Sequence, residues 1–152
     1  MNYNELEQKL GKQIESDWRQ ASGGGWIHKT AKVDNEENIR DNAIVMEDAQ
    51  VCDNAHVYGD AMIFGDARVF DYAWVFGDAR VFGGARVFSD AKICGNAWVY
   101  DTATICGDAQ VCEDAKIYGD ALICGNARVC GNTHVHTDTV ICGNAWVYKG
   151  KI

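Results

Sequence analysis

Among the side chains able to do acid–base or ligand chemistry, His134 and His136 are the only imidazoles close together in the chain, and Asp138 follows two residues later. The segment Asn132-Thr133-His134-Val135-His136-Thr137-Asp138-Thr139 could supply a general base with a nearby carboxylate, or nitrogens for a metal. His28 and His56 stand apart. Seven cysteines are an odd number, so complete internal pairing is impossible. The N-terminus carries Glu5 and Glu7 where a secretory signal would be basic and then apolar, so the chain is expected in the cytoplasm with free thiols. Against 14 Lys and Arg stand 22 Asp and Glu, a net charge of −8. That charge works against direct binding of nucleic acid or anionic membrane and favours a basic partner. No apolar run is long enough to cross a bilayer.

Those residues must be positioned by something, and the positioning device is a repeat. From Ile27 to Val147 a β-branched aliphatic recurs every sixth residue, at 21 positions without exception. Two residues before it stands Ala in 17 of the 21 hexads, the others being Gly25, Glu37, Thr133 and Thr139. In an extended segment, side chains two apart share a face, so the Ala and Val/Ile positions point to one interior. Pairs such as Gly59-Asp60 and Gly95-Asn96 then supply a residue free to take positive φ and an Asx side chain able to bond the turning backbone. A strand of about four residues cannot bury its inner face alone, so the chain is expected to wind and stack on itself. Three hexads to a coil give 18 residues per coil, and residues 26–148 supply nearly seven coils. At about 4.8 Å per rung this makes a rod on the order of 30 Å long.

The aliphatic-x-x-x-small-x unit, as in Val51-Cys52-Asp53-Asn54-Ala55-His56, resembles the left-handed parallel β-helix of the bacterial hexapeptide-repeat proteins. The wording Gly-Asn-Ala-x-Val-Tyr and Gly-Asp-Ala-x-Val-Phe is most similar to bacterial and phage proteins labelled hexapeptide transferases. The resemblance covers about four fifths of the chain and implies an all-β, single-stranded, left-handed triangular solenoid. For the acyltransferase branch it implies a trimer, an acyl-CoA site between rods and a general-base His associated with a projecting loop. This sequence departs from that plan, because its six-residue frame never slips and no loop is inserted. His136, and beside it His134, are the only weak catalytic candidates. The carbonic anhydrase branch would need three converging His, and His28 lies six coils from His136.

The first 25 residues differ in kind. Leu6, Leu10, Ile14 and Trp18 recur every four, with Asn4 and Glu7 spaced as a capping box, which predicts one amphipathic helix to about Ala21. Ser22-Gly23-Gly24-Gly25 reads as a flexible turn into a solenoid spanning 26–152. The helix can serve as a lid over the first coil or dock on a neighbouring subunit. Outward Trp26, Ile44 and Met62, one above another at 18-residue spacing, could receive its stripe. After Tyr148 only Lys149-Gly150-Lys151-Ile152 remain, so the last coil is expected to be bluntly charged or covered by a partner.

Reading every eighteenth residue gives the outer columns. The position after each aliphatic is apolar on all three edges and holds every cysteine: Cys52, Phe70, Phe88, Cys106, Cys124 and Cys142 on one, Tyr58, Phe76, Cys94, Cys112, Cys130 and Tyr148 on another, and Met46, Phe64, Phe82, Tyr100 and Tyr118 on the third. These are expected to stack and seal the corners rather than bind. Adjacent cysteines fall within disulfide distance, yet parallel side-chain vectors argue against bonding. The ladders could collect a soft metal but lack the tetrahedron of a zinc site, so structural thiols and no metal are expected. Asp60 with Asp78, and Asp120 with Asp138, form carboxylate columns able to serve the turns or to recognise a basic surface. Trp74, Trp98 and Trp146 point outward as contact candidates. The reading that follows is a structural or protein-binding rod without a cofactor, in one version an acidic decoy for a basic partner, with a dimer or trimer open to it. The alternative is a trimeric acyl-CoA-dependent enzyme.

Overall fold

The computed structural model covers residues 1–152 and is a β-solenoid of about seven coils. All hexads but one lay down a short strand that pairs in parallel with its neighbours 18 residues away, as Arg80 does with Met62 and Trp98; the exception is the hexad of Ile39, where Glu36–Asn38 forms a 3-10 turn and Ile39 makes a single bridge to Val57. Three sheets result. The first face has eight strands, beginning with β1 (Trp18–Gln20) and β2 (Trp26–His28) and ending at His134–Val135. The second has seven, from Lys32–Val33 to Val140–Ile141, and the third six, from His56–Val57 to Trp146–Val147.

The interior is the one the hexad dictates. Ala and Val/Ile from all three faces form a single cluster of 36 buried residues. Alanine beside a branched aliphatic fills a narrow prism at interior density, which a larger inner pair would overfill. Thr133, at an Ala position, is also fully buried, and its hydroxyl donates to the Cys130 carbonyl at 2.6 Å.

The corners explain the glycine content. The first turn residue takes φ near +60°, as at Gly95 (φ +65°), where a Cβ would come within 2.8 Å of the Glu113 nitrogen one coil on. Where this residue is Asp or Glu, its carboxylate has a use the sequence reading placed elsewhere. Asp41, Glu47, Asp53, Asp71 and Asp101 each accept the backbone N–H of the corner 18 residues later, at 2.7–3.3 Å. A carboxylate at the first turn position thus ties coil to coil, because the rung spacing brings the next corner's N–H within its reach.

The N-terminal segment is where expectation and structure part. Helix α1 spans only Tyr3–Leu10, and its capping box is Asn2 with Glu5, not Asn4 with Glu7. Gly11 ends it at φ +83°. A four-residue period drifts by about 40° per step on a helix that turns 100° per residue, so Leu6 to Trp18 could not hold one face. Leu6 is fully buried and Leu10 packs beside it, whereas Ile14 is 66% exposed and does not dock. Trp18 is buried against Trp26 from strand β1 rather than from the helix. Strand β1 pairs antiparallel with β2 and covers the starting edge of the first sheet, while α1 lies against the outer side over Trp26, Ile44 and Met62. Residues 22–25 form a hydrogen-bonded passage, with Gly24 donating to the Ala21 carbonyl and Gly25 to that of Ile39. A Cβ on Gly23 would lie 2.5 Å from the Ile39 oxygen, so the glycines serve close packing. At the other end, residues 149–152 fold onto the first face: His134 donates to the Gly150 carbonyl at 2.8 Å, and Lys151 bridges His134. No helix is long and apolar enough to cross a membrane.

Candidate functional site

The three edge columns are closed by their own members. Ring stacks Tyr58–Phe76, Phe64–Phe82, Phe70–Phe88, Phe82–Tyr100 and Tyr100–Tyr118 have centroids 4.7–5.0 Å apart and planes within 10°. The rung spacing imposes this face-to-face geometry, which isolated rings do not prefer. His136 continues one such column, its ring 5.7 Å from that of Tyr118, while His134 points out from the first face. No group of three or more His, Cys, Asp or Glu is arranged to enclose a metal ion.

Four of the seven cysteines are not free, which corrects the all-thiol expectation. Cys112 is bonded to Cys130 and Cys124 to Cys142, with Cα atoms 4.8 and 4.6 Å apart. Parallel strands in register set this separation, which falls inside the disulfide range although the side chains start from parallel vectors. Cys52, Cys94 and Cys106 remain thiols. Burial pushes all three above the ordinary thiol value, with Asp34 adding to the effect at Cys52 and Glu113 at Cys94.

The carboxylate columns divide. Asp60 pairs with Lys9 of α1 at 3.2 Å and so helps to hold the helix. Asp120 accepts the Thr102 hydroxyl. Asp78 and Asp138 are in no ion pair and are exposed.

The outward tryptophans also divide, by face. On the first, Trp98 lies between Arg80 and Lys116, whose charges sit 5.2 and 4.8 Å from its ring. On the third, Trp74 is 40% exposed and Trp146 71%. Residues the sequence reading did not single out join them. Asn54, Tyr72, Asp90 and Asp108 form one wall of a shallow trough, and His56, Trp74, Lys92 and Gln110 the other. Asn126, Arg128, Asn144 and Trp146 line a second hollow on the same face. The signal for Tyr72 was present: it is the only aromatic at the second turn position, where the other hexads carry Asp, Asn, Thr, Glu or Gly. His56 packs 5.1 Å from the Trp74 ring, and desolvation, then the Arg40 charge, lowers its pKa from the ordinary 6.5. The result is a shallow polar trough with aromatic platforms.

Comparison with known proteins adds one finding. Residues 122–137 match the YdcK beta solenoid repeat. The match covers less than one 18-residue coil and supports a solenoid repeat. No curated protein and no solved structure matches the chain.

Proposed function

We propose that this chain is a non-catalytic, rigid, acidic solenoid of the hexapeptide-repeat type that acts as a protein-binding module in the cytoplasm and makes contact through its third face. The observation that carries this reading is the distribution of exposed rings. Tyr72, Trp74 and Trp146, exposed at 58%, 40% and 71%, all belong to that face or its border, whereas Trp26 and Trp98 on the first face are covered by α1 and by two cations. Exposed Trp and Tyr on a rigid scaffold are the side chains most often found at energetic centres of interfaces, because they bury large area with little loss of freedom. The unpaired Asp78, at the corner between the third and first faces, and the net charge of −8 favour a basic partner, including one whose basic groove the rod would occupy as a decoy.

The test separates this reading from a trimeric acyl-CoA-dependent enzyme. Light scattering across a concentration series is combined with thermal shift in acetyl-CoA. The binding reading predicts no acetyl-CoA-dependent stabilisation in any assembly state. A stable trimer whose melting temperature rises with acetyl-CoA concentration would overturn it.

A further inference from the structure

We propose that the reduced chain binds soft monovalent d10 cations of the Cu(I) class in its two three-cysteine columns, each ion held in line between sulfurs of successive coils. Cys94, Cys112 and Cys130 follow the third face, and Cys106, Cys124 and Cys142 the second, each at the position after the inward aliphatic and 18 residues from the next. Equivalent side chains at this position keep the rung spacing along the rod, as the ring stacks at 4.7–5.0 Å show. The bonded cysteines have Cα separations of 4.8 and 4.6 Å. Thiols of adjacent coils in a common rotamer therefore stand about one rung apart. A metal–thiolate bond of about 2.3 Å on each side of a two-coordinate ion spans about 4.6 Å, the same length.

The geometry also selects the metal class. A straight column gives each ion two sulfurs in line and no third or fourth ligand, which agrees with the absence of any enclosing cluster of three or more ligating residues. Tetrahedral zinc is disfavoured on that ground, while a soft ion content with two thiolates fits. The crosslinks close two of the same gaps, so binding requires the reduced form: each disulfide takes up two electrons and two protons from a thiol or phosphine reductant. Three sulfurs enclose two gaps, but a thiolate cannot hold two metal bonds in one straight line, so the gaps of a column are alternatives: one ion per column and two per chain, each displacing the protons of the two thiols that hold it. Cys52 has Asp34 and Phe70 as its column neighbours and takes no part.

The experiment uses the full chain, reduced with a phosphine, desalted without oxygen and loaded with Ag(I), a redox-inert probe, or with Cu(I), against excess glutathione. Retained metal is counted by native mass spectrometry, with circular dichroism confirming the fold of each variant. Wild type, C52S and C142S are expected to retain two ions, C112S one, and the C112S/C124S double variant none although five thiols remain. Substitutions at the column ends keep the test decisive if a central one unfolds the rod: with five thiols each, C94S/C142S is expected to hold two ions and C106S/C142S one. Failure of wild type to hold metal against glutathione, or retention that follows the number of thiols instead of their place in a column, overturns the proposal.

Discussion

The first and third faces are built from the same hexad and carry tryptophan at equivalent outward positions, yet they end in opposite states. On the first face Trp26 donates its ring N–H to the Met1 carbonyl at 3.0 Å beneath α1, and Trp98 is held between Arg80 and Lys116. On the third, Trp74 has His56 at 5.1 Å and Lys92 at 5.8 Å on either side yet remains 40% exposed, and Trp146 stands 71% exposed. In a solenoid the environment of an outward side chain is set by the residues 18 before and 18 after it. Ring identity alone does not make a contact site; an aromatic whose column neighbours leave it uncovered does.

Four substitutions bear on that contrast. The largest effect is expected from Leu6→Ala, which empties a fully buried site against Trp18, Trp26, Ile44 and Met62. It should cost about 2–5 kcal/mol in urea unfolding and raise quenching of the Trp26 emission by acrylamide. An unchanged stability would mean that the first face does not depend on its cover. Smaller is the contrast between Trp98→Ala and Trp146→Ala. The first removes two cation–π contacts and should cost about 1–2 kcal/mol, while the second should stay within about 0.5 kcal/mol. Equal losses would erase the distinction between the faces.

The smallest effect concerns His56. Its folded pKa lies below the ordinary 6.5 through desolvation and the Arg40 charge. The unfolded chain therefore binds a proton more readily than the folded one. The stability associated with the neutral ring is present above about pH 6.5 and is lost as pH falls from there through the folded value. His56→Gln should flatten the stability profile over that acidic window, measured by denaturant midpoints at successive pH values, and leave the profile above pH 7 unchanged.

How much was legible follows the same division. The repeat was: an aliphatic every sixth residue fixes which side chains face inward, and the 18-residue register follows from three sides, so the ladders at the edges could be written down column by column. The N-terminal segment was not, because a four-residue spacing of Leu6, Leu10, Ile14 and Trp18 fits a helix only approximately and Gly11 interrupts it. Trp18 could not be assigned to a strand without knowing that β2 offers it an edge. At the site, Trp74 and Trp146 were legible as outward residues, but the cover over Trp98 depends on Arg80 and Lys116, one coil away on either side. The cysteine pairing was half legible, since the columns were read correctly while the argument from parallel side-chain vectors pointed away from bonding.

The central claim, that the third face is the one offered to a partner, is tested most directly by placing a photo-crosslinking amino acid at single positions on each of the three faces in cells producing the protein. Positions 72 and 146 sample the third face, Arg86 the second and Arg80 the first. The account predicts one discrete protein adduct, the same from 72 and 146, and none from 80 or 86. Adducts from the first face alone, equal labelling from all faces, or none from 72 and 146 would contradict it.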